Sequence, residues 1–81
     1  MEEVTKQDLI NVLKECEELV SKMKQGPDKK RRDERDLKEI ISDVEKYNGY
    51  SSYFRDLMYK SALQYKDTLL SESRNETVES I

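Results

Sequence analysis

Few side chains in this chain of 81 residues could carry out chemistry together. Histidine, the commonest general base, triad member and metal ligand, is absent from the sequence. Cys16 is the only cysteine, so one chain can form neither an internal disulfide nor a zinc site built from thiolates. Acidic pairs such as Glu17 and Glu18 occupy adjacent helical positions, which point away from each other. We therefore predict a non-enzymatic protein without catalytic, cofactor-binding or metal-binding residues.

Cys16 is the one candidate nucleophile in the sequence. It falls among apolar residues at helical spacing, between Val12 and Leu19, and such surroundings disfavour the thiolate that a nucleophile requires. We therefore interpret Cys16 as a small core residue.

Four consecutive basic residues at 29–32 form a cluster that could act as a nuclear-import signal or contact an acidic partner. Residues 28–36 contain five basic and four acidic residues, which gives this segment a net charge of +1. The main interpretation is a solvated start of a helix, in which opposite charges four residues apart contribute about 0.2–0.5 kcal/mol per pair. Because the acids repel phosphates and the whole chain has a net charge of −3, we do not expect nucleic acid to be the partner.

Length and composition favour long helices with a thin core. Hydrophobic residues make up 35% and charged residues 41% of the chain, whereas globular domains average about 45–50% and about 25%. Two glycines and one proline provide few tight turns, which argues against a β-rich fold. A chain this short is near the lower limit for a self-sufficient core, so we predict an oligomer.

Neither end nor middle of the sequence resembles a membrane or export segment. No apolar run approaches the ~18 residues that a membrane span needs, and residues 1–4 lack the basic and apolar regions of a signal peptide. We therefore expect an intracellular protein, cytoplasmic or nuclear, with no membrane span.

The predicted fold is all-α, with two or three amphipathic helices in a helical hairpin, a three-helix bundle or a broken coiled coil. The helices are expected at about 5–25, 29–47 and 51–70, within a single domain at 1–70. The remaining residues, 71–81, have the composition of a flexible acidic tail.

Local signals mark the ends of the first helix. Thr5 and Asp8 resemble a capping box with aspartate in place of glutamate, so they predict a helix start near residue 5. Gly26 and Pro27 predict its end, because glycine is typical just after a helix and proline cannot continue one.

The junction at 48–51 allows two interpretations. Asn48 and Gly49 tolerate left-handed backbone and are typical of a helix end, and Ser51 or Ser52 could cap a new helix. The seven-residue apolar pattern nevertheless continues across the junction without a change of phase, as it would in one uninterrupted helix. We favour a kink or a short break.

Three apolar stripes at helical spacing are the candidate partner-binding surfaces. Their members, which we predict to contact a helical partner, are Leu9, Leu13, Leu19, Met23, Leu37, Ile40, Val44, Phe54, Met58 and Tyr65. Of the five tyrosines, Tyr50 and Tyr59 are expected to be the most exposed, and they could add contact area for a partner.

The pairing of the first two stripes argues against a compact monomer. A tight hairpin at residues 26–27 would place Leu19, Val20 and Met23 opposite the apolar-free segment 24–36. Because full burial of such a side chain is worth about 1.5–3 kcal/mol, this arrangement would forfeit several kcal/mol. We therefore disfavour a tight hairpin with a monomeric core. Two arrangements remain: residues 24–36 form a long charged connection, so that Met23 meets Leu37 and the first helix packs along the other two as a small bundle, or a second chain covers the stripes.

Two functions remain after these exclusions. The first is a helical assembly subunit or adaptor, which binds protein partners as a homodimer or hetero-oligomer through coiled-coil-like apolar faces. The alternative is a monomeric three-helix regulatory domain that binds a short linear peptide.

Overall fold

The computed structural model describes residues 3–23 and 26–79, with side chains described as far as Ser73. These residues form three α-helices: α1 (Lys6–Lys22), α2 (Pro27–Lys46) and α3 (Ser52–Glu79). The described part of the chain contains no strand. The predicted all-helical fold with packed helices is therefore confirmed.

The start of α1 is a complete capping box. The backbone N–H of Asp8 donates to the Thr5 hydroxyl oxygen at 3.0 Å, and the backbone N–H of Thr5 donates to the Asp8 carboxylate at 3.1 Å. Both N–H groups would otherwise lack a partner at the helix end. The predicted cap is confirmed.

Helices α1 and α2 form an antiparallel hairpin with its turn directly before Pro27, so the prediction that disfavoured a tight hairpin here is wrong. At one end, the Lys6 amine donates to the Glu45 carbonyl oxygen at 2.5 Å. At the other end, the Ser21 hydroxyl donates to the Glu34 carboxylate at 3.3 Å. These two contacts place the C-terminal half of α1 beside the polar start of α2.

The C-terminal half of α1 is nevertheless buried, because α3 covers it from the other side. Val20 is 0% and Met23 is 4% exposed. The Cys16 thiol donates to the carbonyl oxygen of Ala62 across 3.6 Å, which fixes α3 alongside α1 in a parallel register. That register brings Leu69, which is 3% exposed, to the level of Val20 and Met23. The argument against a tight hairpin considered only the start of the second helix as a cover for these side chains and reserved cover by the third helix for a bundle with a long connection at 24–36.

The predicted break between the second and third helices is confirmed. Helix α2 ends at Lys46 and α3 begins at Ser52, and the Ser51 hydroxyl accepts the backbone N–H of Phe54 at 3.1 Å. The expected reason for the break is wrong, because no described residue has a positive φ. A Cβ atom at Gly49 would overlap the ring of Tyr47, so a larger residue there would require this half-exposed ring to move.

Helix α3 continues to Glu79, beyond its predicted end at residue 70 and into the predicted tail. No glycine or proline follows Gly49 in the sequence, so this segment contains neither of the two residues that disfavour a helix most strongly. Residues 80–81 of the predicted tail lie outside the described residues.

Helix α1 lies in the middle of the molecule, although it comes first in the chain. It packs against both α2 and α3, whereas no described Cα atom of α2 comes within 8 Å of one of α3. The three helices therefore form a thin layer with extents of 46 × 28 × 14 Å. The buried apolar residues are Leu9, Ile10, Val12, Leu13, Cys16, Val20, Met23, Leu37, Ile41, Val44, Ala62 and Leu69.

Candidate protein-binding groove

A groove runs between α2 and α3, whose described Cα atoms stay more than 8 Å apart. Its volume is about 540 Å³, and its floor includes Leu13 of α1. Its walls are mostly apolar and consist of Asp33, Asp36, Leu37, Ile40, Phe54, Leu57, Met58, Ser61, Ala62 and Tyr65. We call this feature the α2–α3 groove.

Helical periodicity places the wall residues on facing sides of the two helices. On α2, positions 33, 36, 37 and 40 recur at three- and four-residue steps, which gives one face of a helix. Positions 54, 57, 58, 61, 62 and 65 of α3 do the same. The two stripes therefore line one groove rather than pack against each other.

The rim of the groove leaves large apolar side chains in contact with water. Ile40 is 39%, Phe54 is 45% and Leu57 is 44% exposed, whereas Leu13 on the floor and Leu37 on the α2 wall are nearly covered. Apolar side chains that cluster in a concave site, rather than lying scattered over a surface, are typical of a binding site. The groove is the best candidate site on that ground.

One end of the groove is acidic. Asp33 and Asp36 lie there on the α2 wall, and Tyr65 lies on the α3 wall. Burial raises the pKa of the Tyr65 hydroxyl, and the negative charges of Asp33, Glu72 and Asp36 raise it further. These carboxylates therefore lie within electrostatic reach of the Tyr65 ring, and no basic residue lines the groove.

At the other end the groove is lined by Phe54, which belongs to a cluster of three aromatic rings at the α2–α3 junction. The Tyr47 and Tyr50 rings meet edge to face with centroids 4.7 Å apart, and Tyr50 stacks on Phe54 at 5.2 Å. Such pairs contribute about 0.5–1.5 kcal/mol beyond the burial of their surface. They connect the turn between the helices to Phe54 on the groove wall.

The predicted exposure of the tyrosines is wrong. Tyr50 and Tyr59 are partly buried and pack against the core, whereas Tyr47 is 54% and Tyr53 is 74% exposed. The sequence pattern does not reveal this, because the position of Tyr50 depends on its stacking across the turn.

The predicted partner-binding residues divide into three groups. Those that line the groove are Leu13, Leu37, Ile40, Phe54, Met58 and Tyr65. Those covered by the chain itself, outside the groove, are Leu9, Met23 and Val44, and Leu19 is partly buried against the core. The sequence reasoning missed Leu57 and the two aspartates of the rim. Leu57 could have been found from its three-residue spacing to Phe54.

Cys16 is a buried free thiol, as expected for a core residue. Burial raises its pKa, which disfavours the reactive thiolate.

Among the described residues, no group of three potential ligands is placed to hold a metal ion. No helix in the same part of the chain is long and apolar enough to cross a membrane.

The basic cluster lies outside the groove, on surfaces that include Arg31, Arg32 and Arg35. None of the ion pairs expected four residues apart forms between described residues of this segment. Arg35 instead pairs with its neighbour Asp36 at 3.6 Å, and Glu34 accepts the hydrogen bond from Ser21.

Comparison of the chain with protein-family models, curated proteins and solved structures finds no match in any of the three. The functional argument therefore depends on the geometry of the groove.

Proposed function

We propose that this chain is a non-enzymatic interaction module, an assembly subunit or adaptor, which binds an α-helix of another protein in the α2–α3 groove. The observation that supports this proposal is the exposed apolar rim of the groove. An amphipathic helix places apolar side chains at positions i, i+3, i+4 and i+7, a pattern that fits a groove between two helices.

The dimensions of the groove agree with a helical ligand. From Phe54 to Tyr65 its α3 wall spans twelve residues, and the eleven steps between them correspond to roughly 17 Å at the helical rise. That length accommodates about three turns of a ligand helix. Ile40, Phe54 and Leu57 would each be covered by such a helix, and complete burial of a side chain of this size is worth about 1.5–3 kcal/mol.

The burial of α1 favours the alternative version of this function, a monomeric domain that binds a short helical peptide. Val20 and Met23 are covered within one chain, so they do not require a second copy. Sedimentation equilibrium separates the two versions: a folded monomer at micromolar concentration supports the peptide-binding domain, and a dimer supports the assembly subunit.

Paired leucine substitutions test the groove itself. Leu57→Glu places a charge in the groove, whereas Leu63→Glu changes a leucine of α3 that is 38% exposed and does not line it. We expect both variants to retain the helical circular dichroism of the wild type. In capture experiments from native extract, only Leu57→Glu should lose partners that the wild type retains. Equal capture by both variants would contradict the proposed site.

A further inference from the structure

We infer that the helix bound by the α2–α3 groove carries a lysine or arginine at one end of its apolar stripe, facing Asp33 and Asp36. This inference rests on the proposed function, because it specifies the ligand of the same groove. It assigns the two rim aspartates to ligand recognition.

The charges of the groove are of one sign. Asp33 and Asp36 are its only charged lining residues. Asp33 forms no ion pair with a described residue, and Asp36 has only the exposed contact of 3.6 Å with Arg35. Both carboxylates are therefore available to a cation brought in by a ligand.

These carboxylates are confined to one end of the groove. They lie near Tyr65. The negative charge of Glu72, on the same helix as Tyr65, also raises the pKa of the Tyr65 hydroxyl. At the opposite end the groove is lined by the ring of Phe54, which stacks on Tyr50 outside it. A ligand with its charge at one end and apolar groups at the other end matches this distribution better than a uniformly charged ligand does.

The spacing along α2 fixes where the cation belongs. Asp36 and Asp33 lie four and seven residues before Ile40, or roughly 6 and 10 Å along the helix axis. A ligand helix that lies along α2 therefore needs its basic residue one or two turns from the apolar residue that contacts Ile40. A nucleic acid does not fit this surface, because its phosphates would face the two carboxylates.

A displayed library of helical peptides tests the ligand chemistry directly. Each peptide has leucine or alanine at the apolar positions. The flanking positions at both ends are randomised among lysine, glutamate and glutamine. The targets are the wild-type chain, Leu57→Glu, the double variant Asp33→Asn with Asp36→Asn, and a control with Asp28→Asn and Glu39→Gln. The control removes the same charge from the same helix at positions that do not line the groove.

We expect the library to yield peptides that bind the wild type but not Leu57→Glu. Among these peptides, lysine should be preferred over glutamate at the flanking positions of one end only. Two exposed ion pairs predict a preference in affinity of about fivefold. The preference should weaken as salt concentration rises, disappear in the Asp33/Asp36 variant and persist in the control.

Other outcomes separate the inference from the proposed function. Groove-dependent peptides without a charge preference would overturn the inference and leave the proposed function standing. A library that yields no groove-dependent peptide would overturn both. Self-association of the wild type that Leu57→Glu abolishes would identify a second copy as the occupant and overturn the inference.

Discussion

The Cys16 thiol lies between α1 and α3, with 0% exposure and its sulfur 3.6 Å from the Ala62 carbonyl oxygen. Burial raises its pKa above the usual 9.0; the charge of Lys66 opposes this shift, and that of Glu15 adds to it. The folded state therefore favours the neutral thiol. We expect iodoacetamide to modify Cys16 only when α1 and α3 separate, so that the rate of labelling at neutral pH rises with urea concentration in parallel with unfolding.

The stability of the chain should fall at alkaline pH. A group whose pKa is raised by folding stabilises the protein below its unfolded pKa, and this contribution is lost as the pH rises through the folded pKa. The pKa values of Cys16 and Tyr65 are raised by burial, and that of Lys66 is raised by its hydrogen bond to Glu15. Cys16 therefore predicts a loss of stability that begins near pH 9, and Tyr65 and Lys66 add to this loss above about pH 10.

Urea denaturation between pH 7 and pH 10.5 measures this loss. The variant Cys16→Ala lacks one of the three groups, so its urea midpoint should decline less steeply than that of the wild type. A wild-type midpoint that is constant over this range would contradict the prediction.

At the scale of the helices, the capping box at the start of α1 should be worth a measurable amount of stability. Thr5→Ala removes the oxygen that accepts the Asp8 N–H, and losses of this kind cost about 1 kcal/mol. Thr68→Ala is the matched control, because its hydroxyl bonds only to the Gln64 carbonyl oxygen within α3. We expect the control to change the free energy of unfolding by less than about 0.5 kcal/mol. Equal effects in urea denaturation would contradict a specific role for the cap.

Helix boundaries could be predicted from the sequence wherever neighbouring residues determine them. Thr5 and Asp8 are three residues apart, and Ser51 caps a helix that begins at the next residue, so sequence reasoning identifies both signals. The end of α3 could not be predicted in this way. The polar composition of residues 71–79 is equally typical of a tail, and no local signal there distinguishes the helix that forms.

The groove could be predicted only in part, for a similar reason. Spacing alone identifies Ile40, Phe54 and Tyr65 as members of apolar stripes. It does not reveal that α1 holds α2 and α3 apart, and this separation turns the stripes into the walls of a groove rather than a buried interface. The position of Asp33 and Asp36 at the rim follows from the same arrangement. From the sequence alone, the two side chains are therefore interpreted as solvated charges.

For the whole molecule, we expect the packing of α3 against α1 to make a large contribution to the free energy of unfolding. Leu69→Ala removes a buried side chain from this contact and should cost about 2–4 kcal/mol of a total of about 5–15. Leu70→Ala changes the neighbouring leucine, which is 38% exposed, and should cost less than about 1 kcal/mol. Thermal and urea denaturation of the two variants measure the difference. Similar losses would show that α3 does not cover α1 in this register.

The central position of the first helix has a consequence for the order of events on the ribosome. α1 is synthesised first and has apolar side chains for two neighbours, but its contacts with α3 join residues 46 and 51 positions apart. The nascent hairpin of α1 and α2 therefore emerges with one apolar flank of α1 still uncovered, and the last third of the chain must follow to shield it. Until then that flank is open to chaperones and to other unfinished chains.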